Sequence, residues 1–157
     1  ESCQTINDHW GYNITDTLYK SPKELIQMLV RAAGKNANLL LNIGPEPGGA
    51  LPDLALNRLK AMGEWLKQYG ETIYGTRGGI IAPHDWGVST QRGNKLYVHI
   101  LDCIDSSLFL PMGNRKVKSA KVFATGKPVR FTKTGDGITV NMGEAPKEID
   151  YVLELTL

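Results

Sequence analysis

Asn38-Leu39-Leu40-Leu41-Asn42-Ile43-Gly44-Pro45, continued by Glu46-Pro47-Gly48-Gly49, settles how the first half of this chain reads. An apolar run of strand length is stopped by Gly-Pro and followed by an amphipathic helix pattern ending in Gly63-Glu64-Trp65-Leu66. That is one βα unit with its loop at the strand's carboxyl end, where α/β folds bind their ligands. Before it, Ser21-Pro22-Lys23-Glu24 is a capping box with Pro at the first helical position, so a helix starts there. Leu25, Met28, Leu29 and Ala32 repeat at helical spacing, and Gly34 is expected as the left-handed stop. Ser2-Cys3-Gln4-Thr5-Ile6 reads as the inside of a strand. After the quoted stretch, Pro52 and Asp53 open a second helix, the carboxylate facing the positive end of the helix dipole. Its predicted apolar face is Leu56, Leu59, Met62, Gly63 and Leu66, and Gly70 is expected to end it. Strand, helix, strand, helix with short loops predicts parallel βα units.

From Ile80 the period changes to two, with turn signals at Gly93-Asn94, Gly113-Asn114, Gly126-Lys127-Pro128 and Gly135-Asp136-Gly137. In the last strand Tyr151, Leu153, Leu155 and Leu157 are expected on one face, and Val152, Glu154 and Thr156 on the other. Lys95 to Ile104 and Ile138 to Met142 alternate similarly. This half predicts an antiparallel β-sandwich. The fold class is therefore α/β then all-β, with a domain boundary near residue 76: 1–76 and 77–157. Two βα units do not close a (β/α)8 barrel, which needs about 200 residues or more.

The 157 residues are 41% hydrophobic and 22% charged, a composition that excludes disorder and collagen. Eighteen Lys+Arg against sixteen Asp+Glu leave a net charge of +2 with no basic block to neutralise a row of phosphates, so no nucleic-acid partner is expected. The apolar run Leu39 to Leu41 with Ile43 is far short of the roughly 20 residues a helical membrane crossing needs. The chain opens at Glu1, inside a strand pattern, and a missing amino-terminal part is expected. Cys3 and Cys103 form neither a disulfide framework nor a Cys-x-x-Cys motif. Asn13-Ile14-Thr15 is a glycosylation sequon, a short word that arises often by chance.

Trp10 follows polar Asn7-Asp8-His9 and precedes Gly11, expected to let the backbone turn. Its ring is either an ordinary packing residue or a pocket wall. The Gly44 to Gly49 loop fits no phosphate pattern: it lacks Gly-Lys-Ser/Thr and Gly-x-Gly-x-x-Gly, and two prolines remove N–H donors. Asn42 is expected chiefly to cap this loop. His9, His84 and His99 are scattered and no metal-ligand spacing is present; His99 is expected to be a surface or satisfied histidine. His84-Asp85-Trp86 offers either a sugar platform or a packing joint between domains. Arg115-Lys116-Val117-Lys118 reads as a solvated hairpin edge.

Several words in order carry a resemblance: Glu1-Ser2-Cys3, Asn7-Asp8-His9-Trp10-Gly11-Tyr12, Ser21-Pro22-Lys23-Glu24-Leu25, Asn38 to Pro45, Gly63-Glu64-Trp65-Leu66, and Gly70-Glu71-Thr72-Ile73-Tyr74-Gly75-Thr76. Together they resemble the α-L-fucosidases of glycoside hydrolase family 29. The resemblance implies a carboxyl-terminal segment: the last two βα units of a partial (β/α)8 TIM barrel, followed by a β-sandwich. It implies a retaining exo-acting hydrolase of terminal α-L-fucosyl linkages, with the nucleophile Asp and the acid/base carboxyl upstream of this chain and the segment inactive alone. Trp10 matches the aromatic that lines the fucose subsite. Glu1 matches the Glu of a Trp-Glu-x-Cys motif and is the candidate carboxylate within the chain, more a frame of the pocket than its acid. No metal or organic cofactor is implied. The implied partners are a carbohydrate substrate, an α-L-fucoside, and the remainder of the parent chain or self-association. Relatives of this kind work in the periplasm, the secreted space or the lysosome. The alternative from another class is a non-catalytic carbohydrate-binding β-sandwich module centred on Trp86.

Overall fold

The computed structural model describes residues 1–157. β1 (Ser2–Thr5) and β2 (Leu39–Asn42) run parallel, with Ser2 opposite Leu39 and Thr5 opposite Asn42. α1 (Pro22–Gly34) connects them, and α2 (Asp53–Tyr69) follows, running into a 3-10 turn over Gly70–Thr72. The remaining strands pair antiparallel: β3 (Arg77–Gly78), β4 (Gly87–Arg92), β5 (Lys95–Ile100), β6 (Ser107–Pro111), β7 (Ser119–Val122), β8 (Arg130–Thr134), β9 (Gly137–Asn141) and β10 (Tyr151–Thr156). They build a five-stranded sheet, β3-β4-β5-β10-β7, and a three-stranded sheet, β6-β9-β8. The chain is thus mainly sheet with two α-helices, and its antiparallel part is a β-sandwich.

α1 starts where its capping box requires: Ser21 Oγ accepts from the Glu24 N–H at 3.2 Å and Glu24 Oε2 accepts from the Ser21 N–H at 2.7 Å. Its end differs from the expectation. Gly34 stays helical, and Asn36 takes the left-handed conformation with φ 57°. Glycine is needed at 34 for contact rather than for φ, because a Cβ there would lie 2.5 Å from Val88 Cβ and 2.6 Å from Val88 Cγ2. The helix therefore sits closer to β4 than any side chain would permit.

α2 starts at Asp53 as expected, and Leu59, Met62 and Leu66 of its expected face meet the core, but the buried stripe is Ala55, Met62 and Trp65 and Leu56 is exposed. The stripe is rotated because Trp65 stacks on Tyr69 at 5.3 Å, Tyr69 meets Phe123 at 5.9 Å, and Phe123 meets the edge of Tyr97 at 5.8 Å. This aromatic chain turns the helix face toward the sheet.

Two cores result, and the five-stranded sheet divides them. Leu96, Val98, Ile100, Leu153 and Leu155 pack with Leu110, Ile138 and Val140 between the two sheets. On the other side Val88 and Leu101 join Ile6, Leu25, Ile26, Val30, Ala55 and Trp65. β10 is accordingly buried on both faces, Val152 and Glu154 included, rather than on one. The same burial explains His99, which is fully enclosed and satisfied: Nδ1 lies 2.8 Å from Asp150 Oδ2 and Nε2 3.2 Å from Thr90 Oγ1. Thr90 in turn donates to the Thr72 carbonyl at 2.6 Å, so this chain of bonds ties the 3-10 turn to the sheet. Leaving one partner of such a buried bond unmatched costs about 1–3 kcal/mol. The Arg115 to Lys118 stretch is not a hairpin; it crosses from β6 in one sheet to β7 in the other, with Val117 buried in the core.

Two predictions follow from this packing. Gly34→Ala lowers stability by about 1–3 kcal/mol through overpacking, and combining it with Val88→Ala recovers part of that loss; a denaturant double-mutant cycle with additive effects would contradict the contact. The Tyr97 hydroxyl, held up to about 12 mainly by burial and then by its hydrogen bond to Glu71, binds its proton more tightly folded than unfolded. The stability it supplies is complete below pH 10 and is lost as pH rises toward 12. Tyr97→Phe flattens this alkaline limb in pH-dependent unfolding; an unchanged limb assigns it elsewhere.

Candidate functional site

The loop from Ile6 to Lys20 leaves β1 at its carboxyl end, beside the carboxyl end of β2. Its base is stitched to the body: Lys20 N donates to the Ile6 carbonyl at 3.0 Å, Lys20 Nζ to the Thr5 carbonyl at 2.6 Å, and Arg58 Nε to the Lys20 carbonyl at 3.0 Å. Inside the loop the organising group is Asp16. Its Oδ2 accepts from Asn7 Nδ2 at 2.9 Å, His9 Nδ1 at 2.7 Å and His9 N at 3.1 Å, and its Oδ1 accepts from Leu18 N at 3.0 Å. The hydrogen bond from the His9 ring is the main reason the Asp16 carboxyl sits below the usual carboxylate range; the Leu18 and His9 N–H groups add to this and burial opposes it.

Trp10 stands on this loop with its side chain in the open; the residue is 57% exposed. Asn42 Nδ2, at the end of β2, donates to the Trp10 carbonyl. Gly44 then lets the two loops touch, since a Cβ there would lie 2.5 Å from the Gly11 carbonyl carbon and would strike the Tyr12 N–H. The glycine that shapes this corner is Gly44; Gly11 has open space around its Cα and a backbone any residue adopts. The outcome is an indole held by its backbone at the carboxyl ends of two parallel strands, with its ring free to meet a ligand. An exposed indole face suits the ring of a sugar, which offers C–H groups on one side and hydroxyls at the rim.

Glu1 lies elsewhere. It is exposed at the amino end of β1, with Cys3 Sγ 3.8 Å from its Oε1, so the length of the strand separates it from Trp10. A cavity of about 430 Å³, lined by Leu29, Asn36, Leu39, Ile73 and Arg77, opens near the amino end of β2 and brings no carboxylate pair together. Trp86 packs against the sandwich core and carries His84 on its face at 5.2 Å, while Arg31 reaches the His84 and Asp85 carbonyls from α1. No three His, Cys, Asp or Glu side chains converge as metal ligands, and no helix is long and apolar enough to cross a membrane. Asp16 and Asn7 were not singled out by the sequence; the polar residues around Trp10-Gly11-Tyr12 were the available signal.

A family model described as alpha-L-fucosidase matches residues 1–71. The chain is 32% identical to the plasma alpha-L-fucosidase of Rattus norvegicus over 90% of its own length and 34% of that protein, and 33% identical to the Homo sapiens plasma alpha-L-fucosidase over 83% and 30%. Among solved structures it matches alpha-L-fucosidase isoenzyme 1 from Paenibacillus thiaminolyticus with a TM-score of 0.88 and 39% identity, covering 99% of this chain and 39% of that one. It matches the Thermotoga maritima alpha-fucosidase in complex with fucose with a TM-score of 0.83 and 30% identity, covering 98% and 39%. The chain spans about a third of the length of the curated relatives it matches. With the strand and helix half matched by the family model and the whole chain matched in sequence and in three dimensions, the chain belongs to the α-L-fucosidase family.

Proposed function

We propose that this chain is part of a retaining exo-α-L-fucosidase and supplies one wall of its sugar pocket. The observation that carries the reading is Trp10, solvent-facing at the carboxyl ends of parallel β1 and β2 and held there by Asn42 and Gly44. In this reading residues 1–76 are the last two βα units of a (β/α)8 barrel and 77–157 its carboxyl-terminal sandwich, which supports the barrel through the face of the five-stranded sheet that packs against its helices. The Thermotoga maritima alpha-fucosidase, solved in complex with fucose, supports fucose as the sugar.

Hydrolysis with retention needs two carboxyl groups about 5–5.5 Å apart. Asp16 is occupied by four N–H donors and Glu1 lies at the other end of its strand. In this reading, as the family resemblance implies, the nucleophile and the acid/base belong to portions of the enzyme outside these residues. The nucleophile attacks the anomeric carbon and the bond to the leaving oxygen breaks as the acid protonates it. Water then resolves the glycosyl-enzyme. Trp10 contributes orientation by packing on the apolar side of fucose. The compartment is periplasmic, secreted or lysosomal, in keeping with a relative named for plasma.

The carbohydrate partner is joined by a second, the rest of the polypeptide. β1 and β2 pair only with each other, leaving an open edge on each, and Leu40 is 49% exposed beside exposed Cys3. Unpaired parallel edges recruit further strands.

Three outcomes test this. The isolated chain leaves an aryl α-L-fucoside intact whereas the enzyme that carries it turns the substrate over; turnover by the short chain would place the catalytic carboxylates within it. Trp10→Ala in that enzyme raises KM about tenfold, and an unaltered kcat/KM would remove Trp10 from the pocket. In sedimentation the isolated chain self-associates; a strictly monomeric species would show that its edges need no cover.

A further inference from the structure

We propose that Asp16 is the positioning residue of the sugar-facing loop: its carboxylate sets the His9 ring and, through the clamped His9–Trp10 segment, the place of the Trp10 indole. This rests on the reading of Trp10 as a pocket wall. The Asp16 side chain is only 1% exposed although its neighbours Thr15, Thr17 and Leu18 stand in solvent. Both of its oxygens are committed, Oδ2 to three donors from Asn7 and His9 and Oδ1 to Leu18 N–H. Only a carboxylate offers acceptors on both atoms. An amide of the same shape would turn its NH2 either against Leu18 N–H or against the other three donors, leaving buried donors unmatched.

The bonding also determines the tautomer of His9. A carboxylate accepts and never donates, so His9 Nδ1 carries the proton it shares with Asp16 at 2.7 Å. Nε2 is then the acceptor of the neutral ring, and Asn13 Nδ2 faces it at 3.3 Å. The Asn13 amide has no freedom to turn, because its oxygen already accepts from Thr15 N at 3.0 Å and Thr15 Oγ1 at 2.8 Å. Asp16 thus orients the His9 ring from one side, and the Asn13 amide, fixed by Thr15, meets it from the other. The half-exposed imidazole thereby presents a fixed edge beside Trp10. The backbone entering Trp10 is held by Asp16 through His9 N–H, and the backbone leaving it by Asn42 through the Trp10 carbonyl. The ring needs no ligand to find its place, which spares a sugar the cost of ordering the loop.

The test is Asp16→Asn. In nitrogen-15 spectra of the chain, the slowly exchanging His9 Nδ1–H signal is lost and the Trp10 indole N–H moves or broadens, while the Trp65 and Trp86 indoles stay in place. In the enzyme that carries the chain, KM for an aryl α-L-fucoside rises about tenfold with kcat within about threefold. Unchanged His9 and Trp10 signals in the folded Asp16→Asn chain overturn the proposal. Should that chain not fold, His9→Ala removes only the shortest of the four bonds; it shifts the Trp10 indole and raises KM about threefold, and an unmoved indole overturns the proposal equally. If the enzyme neither binds nor cleaves a fucoside, the reading of the pocket fails, while the His9 and Trp10 resonances still decide the role of Asp16.

Discussion

The constraint on which this structure depends is a sheet buried on both faces. Strands β4, β5 and β10 must supply apolar side chains to the sandwich core on one side and to the helices on the other. Every polar group they carry inward then has to find a partner, since an unmatched buried group costs about 1–3 kcal/mol. His99 does so with Asp150 and Thr90, Tyr97 with Glu71, and Glu154 with Lys121 at 3.3 Å. Of these, the Tyr97–Glu71 bond, with the Thr90 to Thr72 bond beside His99, joins the sheet to the 3-10 turn that ends α2, so it helps fix how the helical layer sits on the sheet. Gly34 against Val88 and Asn36 Oδ1 accepting from Gly78 N–H at 2.7 Å complete that joint along α1.

The site inherits its rigidity from this arrangement at one remove. α1 and α2 are seated on the sheet, β1 and β2 are seated on the helices, and the Ile6 to Lys20 loop is fastened to both strands and to Arg58 of α2. A binding surface on a loop is only as good as the scaffold below it. Here the scaffold is regular secondary structure, and the loop is converted into a fixed object by one buried carboxylate. A side chain can then be exposed and unpartnered, as that of Trp10 is, while its backbone is held.

What was legible in the residues follows the range of the forces involved. The α1 start was readable because a capping box acts within four residues, and the β2 run because strand, Gly-Pro stop and helix are neighbours in the chain. The end of α1 was misread as a left-handed glycine because the reason for Gly34 is Val88, distant in sequence. The apolar face of α2 was legible in part: Leu59, Met62 and Leu66 do meet the core, but Leu56 is exposed while Ala55 and Trp65 are buried, because helical periodicity allows adjacent stripes and the aromatic contact through Phe123 chose between them. Alternation in β10 was read correctly, but its polar-looking face was not seen to be covered, because cover comes from another element. Asp16 was overlooked because a lone carboxylate in a polar loop looks the same whether it is solvated or gathers four donors.

By itself the sequence determined the order of elements, the change from a helical to a twofold period near the middle of the chain, the place of Trp10 after a strand, and the family to which the motif series points. These are local patterns, and local sterics and hydrogen bonding enforce them. Only the tertiary structure decided that one sheet serves two cores, that glycine at 34 and 44 answers to neighbours rather than to dihedral angles, and that Asp16 holds His9 while Asn42 holds Trp10. Those facts depend on which distant groups arrive within about 3 Å of one another, and a hydrogen bond or a steric contact exists only at that range.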